Sequence, residues 1–168
     1  PVGHSLSPLI HTTALSYLSL NHVYLPFEVH PADLGDAVAG LKALGARGVN
    51  VTIPHKEAVI KYMDRLSEEA RLIGAVNTLL FEGGRVSGHN TDGRGFLASL
   101  EEEGIQPPTG KVAVVLGAGG AARAICVQLL LAKVNRLVIA NRTLARAAVL
   151  AQGLGESFPG IPVDVADL

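Results

Sequence analysis

The sequence is poor in sulfur, in aromatic rings and in surplus charge of either sign. A single cysteine, Cys126, among 168 residues excludes a disulfide framework and a thiolate metal cage. There is no tryptophan, and aromatic residues make up 4% of the chain. Lys plus Arg number 14 against 15 Asp plus Glu, a formal charge of −1. A protein held on nucleic acid by phosphate neutralisation carries a basic surplus instead. No apolar run approaches the ~18 residues of a membrane span, and no charged-then-apolar leader opens the chain. The histidines (His4, His11, His22, His30, His55 and His89) lack H-E-x-x-H or similar spacing, so no metal is expected. What the chain does have is 48% apolar residues and 19 glycines. That is enough to build a core, which excludes a disordered tail. The expectation is a cytoplasmic, glycine-rich α/β protein of one domain's length or two small ones. It opens at Pro1, without a methionine, and reads as part of a longer protein.

The pattern predicts strands alternating with helices. Residues 23–29 (VYLPFEV), 48–53 (GVNVTI), 77–81 and 85–89 read as strands, the last two joined as a hairpin by Glu82-Gly83-Gly84. Ser7-Pro8 reads as N-cap plus first helical residue of a helix running to about residue 20, with His11 on its inner face. Residues 33–44 place Leu34, Ala37, Val38 and Leu41 on one helical face, stopped by Gly45. A short helix is expected over 55–64, and Ser67 caps another over 68–73. Residues 92–103 read as a helix followed by Gly104 and the breaker run Gln106-Pro107-Pro108-Thr109-Gly110. That run divides residues 1–103 from residues 104–168. The second part reads strand (111–116), glycine turn, helix to about 132, strand (136–140), helix from 143, strand (161–165), which is half of a Rossmann-type dinucleotide-binding fold. The first part is expected to be an α/β domain with a mainly parallel sheet.

Gly117-Ala118-Gly119-Gly120-Ala121 directly follows an apolar strand and opens a helix. There the first glycine permits a tight turn, the next lets backbone approach a pyrophosphate, and the helix N-terminus offers free N–H groups to phosphate. About 20 residues on, NAD sites carry an acidic residue for the ribose 2′-hydroxyl. This chain instead reads Asn141-Arg142-Thr143, with Arg146 beyond. Guanidinium groups pair with a 2′-phosphate that a carboxylate would repel, which favours NADP over NAD; the alternative is a pair of solvated helix-start arginines.

In the first part, Ser5 and Ser7 stand at a helix start, a place that holds a carboxylate or merely caps and turns. Thr52 and Lys56 follow a strand's C-terminal end, where ligands of open α/β sheets collect, although a lysine there is often only solvated. Asn77 and Asn90-Thr91-Asp92 are ordinary turn and cap residues when taken singly.

Taken together these segments say more. His4-Ser5-Leu6-Ser7-Pro8, Asn50-Val51-Thr52-Ile53-Pro54-His55-Lys56, Gly74-Ala75-Val76-Asn77-Thr78, Asn90-Thr91-Asp92-Gly93, Gly117 to Ala121 and Asn141-Arg142-Thr143 resemble the shikimate dehydrogenase family, in order and over essentially the whole chain. The resemblance implies reversible NADPH-dependent reduction of 3-dehydroshikimate to shikimate, a step of aromatic amino-acid biosynthesis. It implies that Ser5 and Ser7 hold the substrate carboxylate and that Thr52, Lys56, Asn77 and Asp92 contact the ring hydroxyls, Lys56 and Asp92 being the catalytic pair. The glycine turn takes the pyrophosphate, and Asn141, Arg142, Thr143 and Arg146 the 2′-phosphate end. Glu68 is a candidate acidic residue near the cofactor. The implied partner is a small molecule, with no nucleic acid and no membrane, and a homodimer is compatible with the resemblance.

The chemistry suits the residue types. Hydride arriving at a carbonyl carbon builds negative charge on oxygen, so a proton donor must stand within hydrogen-bond reach. Lys56 is the expected proton-transferring group and Asp92 its partner. Family members continue for about a hundred residues beyond Leu168 and carry a strand before Pro1. The chain alone is therefore expected to be inactive or nearly so, with an exposed apolar sheet edge. Competing readings are a relative that also uses quinate and a non-catalytic fragment or scaffold.

Overall fold

A computed structural model describes residues 2–168. Two sheets and two apolar cores follow one another along the chain. The first sheet has the order β1-β3-β4-β2, built from β1 (Gly48–Asn50), β2 (Arg65–Leu66), β3 (Thr78–Glu82) and β4 (Arg85–His89). The second has β5 (Val112–Leu116), β6 (Arg136–Ala140) and β7 (Val163–Ala166), in sequence order and parallel throughout. The α/β class and the dinucleotide-binding half stand as read from the sequence.

The first sheet pairs in mixed sense where a mainly parallel one was expected. β1 and β3 run antiparallel, β3 and β4 run antiparallel, and only β2 and β4 run parallel. The cause is local. Gly83 and Gly84 both adopt positive φ (56° and 73°), the combination that closes a two-residue hairpin and folds β4 straight back on β3.

Two further expectations need correction. Residues 23–29 are extended but form no strand. Their β-branched and aromatic character is real, yet no neighbouring backbone among the described residues offers a ladder, and Val23, Leu25 and Phe27 stay exposed. Side-chain bonds hold the segment instead: the Tyr24 hydroxyl donates to Asn50 Oδ1 at 3.0 Å, and the His55 ring nitrogen Nε2 lies 3.0 Å from the Val29 carbonyl. The helix expected over 55–64 contracts to a 3-10 turn at Ala58–Tyr62, followed by the short β2. Asp64 explains the switch: its backbone N–H donates to the Val86 carbonyl and its carboxylate accepts from the Val86 N–H, drawing the chain onto β4.

Of the helices, α1 (Ser7–Tyr17) begins at Ser7, the residue expected to cap it. Leu6 is the N-cap, and the oxygen near the first turn is that of Ser5, which accepts from the Ser7 N–H at 3.2 Å. α2 (Leu34–Ala43) turns Leu34 and Val38 inward, and Gly45 ends it with φ +75°. α3 (Glu68–Ile73) starts as expected, with Ser67 Oγ accepting from the Ala70 N–H. α4 (Asp92–Glu102), α5 (Gly120–Leu131) and α6 (Leu144–Ser157) complete the set.

One core gathers Leu34, Val38, Val59, Val76, Leu79, Phe81 and Val86 around the first sheet. The other packs α5 and α6 on the second sheet through Val127, Leu130, Leu137, Ile139 and Leu150, and reaches back to Ile73 and Ala75. α4 packs on α5 at very short range. A Cβ added to Gly93 would lie 2.3 Å from Gln128 Cγ and 2.6 Å from the Ala124 carbonyl oxygen. Glycine at 93 thus lets the helix carrying Asp92 seat directly on the helix that follows the glycine turn. Among the described residues no helix is long and apolar enough to cross a membrane.

Candidate active site

Every residue assigned to the substrate from the sequence lines one cavity of about 1080 Å³: Ser5, Ser7, Thr52, Lys56, Asn77 and Asp92. They arrive from four places. Ser5 and Ser7 come from the start of α1, Thr52 and Lys56 from the loop after β1, Asn77 from the residue before β3, and Asp92 from the first residue of α4. The Ile53–Pro54 peptide within that loop is cis.

The centre of the arrangement is the Asp92 carboxylate, held by both oxygens. Lys56 Nζ donates to Oδ2 at 2.6 Å, and Asn77 Nδ2 donates to Oδ1 at 2.7 Å. Asn77 is itself fixed, since its Oδ1 accepts from the Thr91 N–H at 3.0 Å and the Thr78 hydroxyl at 2.9 Å. The Lys56 and Asp92 side chains are 21% and 27% exposed, half-sheltered and still open to the cavity. A lysine ammonium has three donors; one is engaged by Asp92, leaving others for an oxygen in the cavity.

Backbone bonds explain why this sequence assembles the pair. The Lys56 carbonyl accepts from the Val76 N–H at 2.8 Å, and the Asn77 carbonyl from the Val51 N–H at 2.7 Å, which docks the lysine loop onto the segment leading into β3. Asn90, buried to 4% exposure, donates to the Ala75 carbonyl and accepts from the Asp92 N–H. Asn90 stands in the Asn90-Thr91-Asp92-Gly93 segment with no role expected of it; its burial as a polar side chain with two backbone partners, one of them 15 residues away, reveals its part. His11, Tyr24 and Asn50 are among the further cavity residues for which no site role was expected. Asn50 had a signal, lying within the Thr52–Lys56 motif, whereas Tyr24 was absorbed into the strand pattern of residues 23–29.

The residues assigned to the cofactor lie outside this cavity, at the C-terminal ends of β5 and β6. Gly117 has φ +112°, which a side-chain-bearing residue adopts only under strain, and its N–H donates to the Ala140 carbonyl at 2.7 Å. This bond ties the turn to the residue before Asn141. Gly119 is the N-cap of α5. A Cβ at Gly119 or Gly120 would meet nothing within 4 Å, so packing inside the chain does not demand glycine there. Ala118 lies against the second core, and Ala121 is exposed on the first turn of α5. Asn141 Nδ2 donates to the Thr143 carbonyl at 2.9 Å, and Arg142, Thr143 and Arg146 are exposed.

Glu68 is exposed in the first turn of α3 and does not line the cavity. Its neighbour Glu69 pairs with Arg94 of α4. Arg123, in the first part of α5, turns away from the glycine turn and donates to the Ile73 carbonyl at 3.3 Å, closing the C-terminal end of α3. Cys126 is buried, and desolvation pushes its thiol up to about 12, so it offers no nucleophile. Among the described residues no group of three or more His, Cys, Asp or Glu is placed to hold a metal ion.

Comparison with known proteins sets this geometry in context. The family described as "Shikimate dehydrogenase substrate binding domain" matches residues 1–79, and that described as "Shikimate / quinate 5-dehydrogenase" matches residues 100–164. A shikimate dehydrogenase (NADP(+)) of Moorella thermoacetica is 55% identical over 98% of the chain and 55% of its own length. Among solved structures, shikimate 5-dehydrogenase of Listeria monocytogenes in complex with shikimate and NAD superposes with TM-score 0.94 at 40% identity, covering 99% of this chain and 58% of that one. The ligand-free 5-ketofructose reductase of a Gluconobacter strain gives 0.92 at 38%, covering 99% and 59%. The chain thus spans little more than half the length of the relatives it matches.

Proposed function

Since the chain belongs to the shikimate dehydrogenase family, we propose that it carries the substrate site and the first half of the cofactor site of an NADP-dependent shikimate dehydrogenase, which interconverts 3-dehydroshikimate and shikimate. The observation that carries this reading is the convergence in one cavity of Ser5, Ser7, Thr52, Lys56, Asn77 and Asp92.

In this reading Ser5 and Ser7 take the carboxylate, using hydroxyl donors at the N-terminal end of α1, where negative charge is favoured. Thr52, Lys56, Asn77 and Asp92 take the ring hydroxyls. Lys56 stands closest to the developing alkoxide and delivers a proton to it, while Asp92 holds the ammonium at 2.6 Å and accepts from a neighbouring ring hydroxyl. Asn77 keeps the carboxylate from rotating away by its bond to Oδ1. In the reverse direction the same lysine receives the proton from the substrate hydroxyl, as microscopic reversibility requires.

The cofactor, when bound, supplies the hydride. The open space over Gly119 and Gly120 and the free N–H groups at the start of α5 suit a pyrophosphate. Asn141, Arg142, Thr143 and Arg146 suit the 2′-phosphate end. Two guanidinium groups and no carboxylate over residues 141–146 favour NADP. The division of labour places the substrate part in residues 1–103 and the cofactor part in residues 104–168.

Calorimetric titration of the purified chain tests the proposal. Shikimate and NADP+ should each bind, and Lys56→Ala should weaken shikimate while leaving NADP+ unmoved. Failure of the chain to bind either ligand would sink it. Because the second matched family description names quinate as well, quinate belongs in the same experiment, with shikimate expected to bind tighter.

A further inference from the structure

His11, Tyr24 and Asn50 form a chain of contacts across the cavity wall from α1 to β1. The rings of His11 and Tyr24 stack with centroids 4.3 Å apart and planes 14° apart, and the Tyr24 hydroxyl donates to Asn50 Oδ1 at 3.0 Å. His11 lies four residues after Ser7 on α1, on the same helical face. Asn50 is the last residue of β1, two before Thr52. All three line the cavity.

None of the residues of α1 is buried, and Leu6, Leu9 and Ile10 are all more than 60% exposed. Core packing ordinarily orients an amphipathic helix; α1 buries none of its residues among those described, and the His11–Tyr24 stack is one contact that orients it. At the other end β1 is laddered to β3 and seated on the first core through Val49. These contacts therefore join the wall that carries the serines to a wall laddered to β3 and packed on the first core.

Resting on the reading of the cavity as a shikimate site, we propose that Tyr24 is a positioning residue that governs specificity. By stacking on His11 and bonding to Asn50 it fixes the serine turn at a set distance from Thr52 and Lys56. That distance decides whether one rigid ring can place its carboxylate on the serines and its hydroxyls on the opposite wall at once. A ligand that engages only one wall gains nothing from it.

The test titrates the chain, by NMR or calorimetry, with shikimate, with cyclohex-1-ene-1-carboxylate, which keeps ring and carboxylate but lacks the hydroxyls, and with NADP+. Tyr24→Phe removes the hydroxyl bond and keeps the stack; it should weaken shikimate about three- to tenfold. Tyr24→Leu removes both and should weaken it more than tenfold. Both variants should leave the hydroxyl-free acid and NADP+ within about twofold. Equal weakening of both acids, or of neither, overturns the inference while leaving the site assignment intact. A wild-type chain that binds no shikimate overturns both. Tyr24→Phe changes a single exposed-side oxygen, so it decides the matter even if Tyr24→Leu fails to fold.

Discussion

Lys56 Nζ stands 2.6 Å from Asp92 Oδ2 although 36 residues separate the two in the chain. One follows the first strand and the other opens the helix that seats on the cofactor half, so their contact is made by the tertiary fold and by nothing local. Each partner removed leaves the other half-sheltered and uncompensated. Grafted into a full-length family member, Lys56→Ala should lower kcat about 10²- to 10⁴-fold, the usual worth of a positioned proton donor. Asp92→Asn should lower it as well and raise KM for shikimate, whereas the affinity for NADP+ should hold. Steady-state kinetics alongside a cofactor titration checks all three.

Gly93 and Gly95 occupy the same helix and should respond in opposite ways to the same substitution. Gly93→Ala drives a Cβ to within 2.6 Å of the Ala124 carbonyl oxygen, and such overpacking costs about 1–3 kcal/mol. At this chain length each kcal/mol lowers Tm by roughly 2–4 °C. A Cβ at Gly95 meets nothing within 4 Å, so Gly95→Ala should stabilise by about 0.5–1 kcal/mol through helix propensity. Thermal denaturation of the two variants separates them.

The exposed arginines after β6 predict the choice of cofactor. Arg142→Ala combined with Arg146→Ala should weaken NADP+ about ten- to a hundredfold, the scale of lost charge-assisted hydrogen bonds. NAD+ should change by no more than about twofold, since it lacks the 2′-phosphate that the guanidinium groups would hold. Titration of both cofactors against the double variant reads the difference; equal losses would argue against this assignment.

Cys126 should resist thiol reagents in the folded chain, because burial holds its pKa at about 12 and the thiolate is the reactive species. The same shift has a signed consequence for stability. Below the ordinary thiol value of about 9 both folded and unfolded chains keep the proton, and Cys126 adds no pH dependence. Between about 9 and about 12 the unfolded chain loses it and the folded chain does not, so stability falls as pH rises. Denaturant titrations across that window, with Cys126→Ala as reference, isolate the effect.

The sequence was most legible where a rule of short range applied. The Ser67 cap, the Gly83-Gly84 hairpin, the apolar runs of β5 and β6 and the glycine turn between β5 and α5 each announce themselves within a few residues. The proposed site residues were legible only as a set of motifs resembling a family's, and Ser5, Ser7, Thr52, Lys56, Asn77 and Asp92 line one cavity. Legibility failed where the outcome depended on a distant partner. Residues 23–29 have strand chemistry without a strand beside them. The stretch after Pro54 was diverted from helix by Asp64 bonding to Val86. The roles of Asn90 and Tyr24 follow from contacts 15 and 26 residues away in sequence, which no local pattern carries.

Tyr24 to Asn50 and His55 to Val29 are two of the side-chain bonds that moor residues 23–29, a segment outside any ladder that forms one bank of the cavity. Lacking the ladder bonds of β3 and β6 among the described residues, its amides should trade hydrogen for deuterium before theirs. Any molecule that touches this bank must first find it shut, so its measured affinity is the intrinsic one scaled by the closed fraction. Loosening the moorings therefore weakens a ligand that spans both walls even where it never touches the moorings themselves.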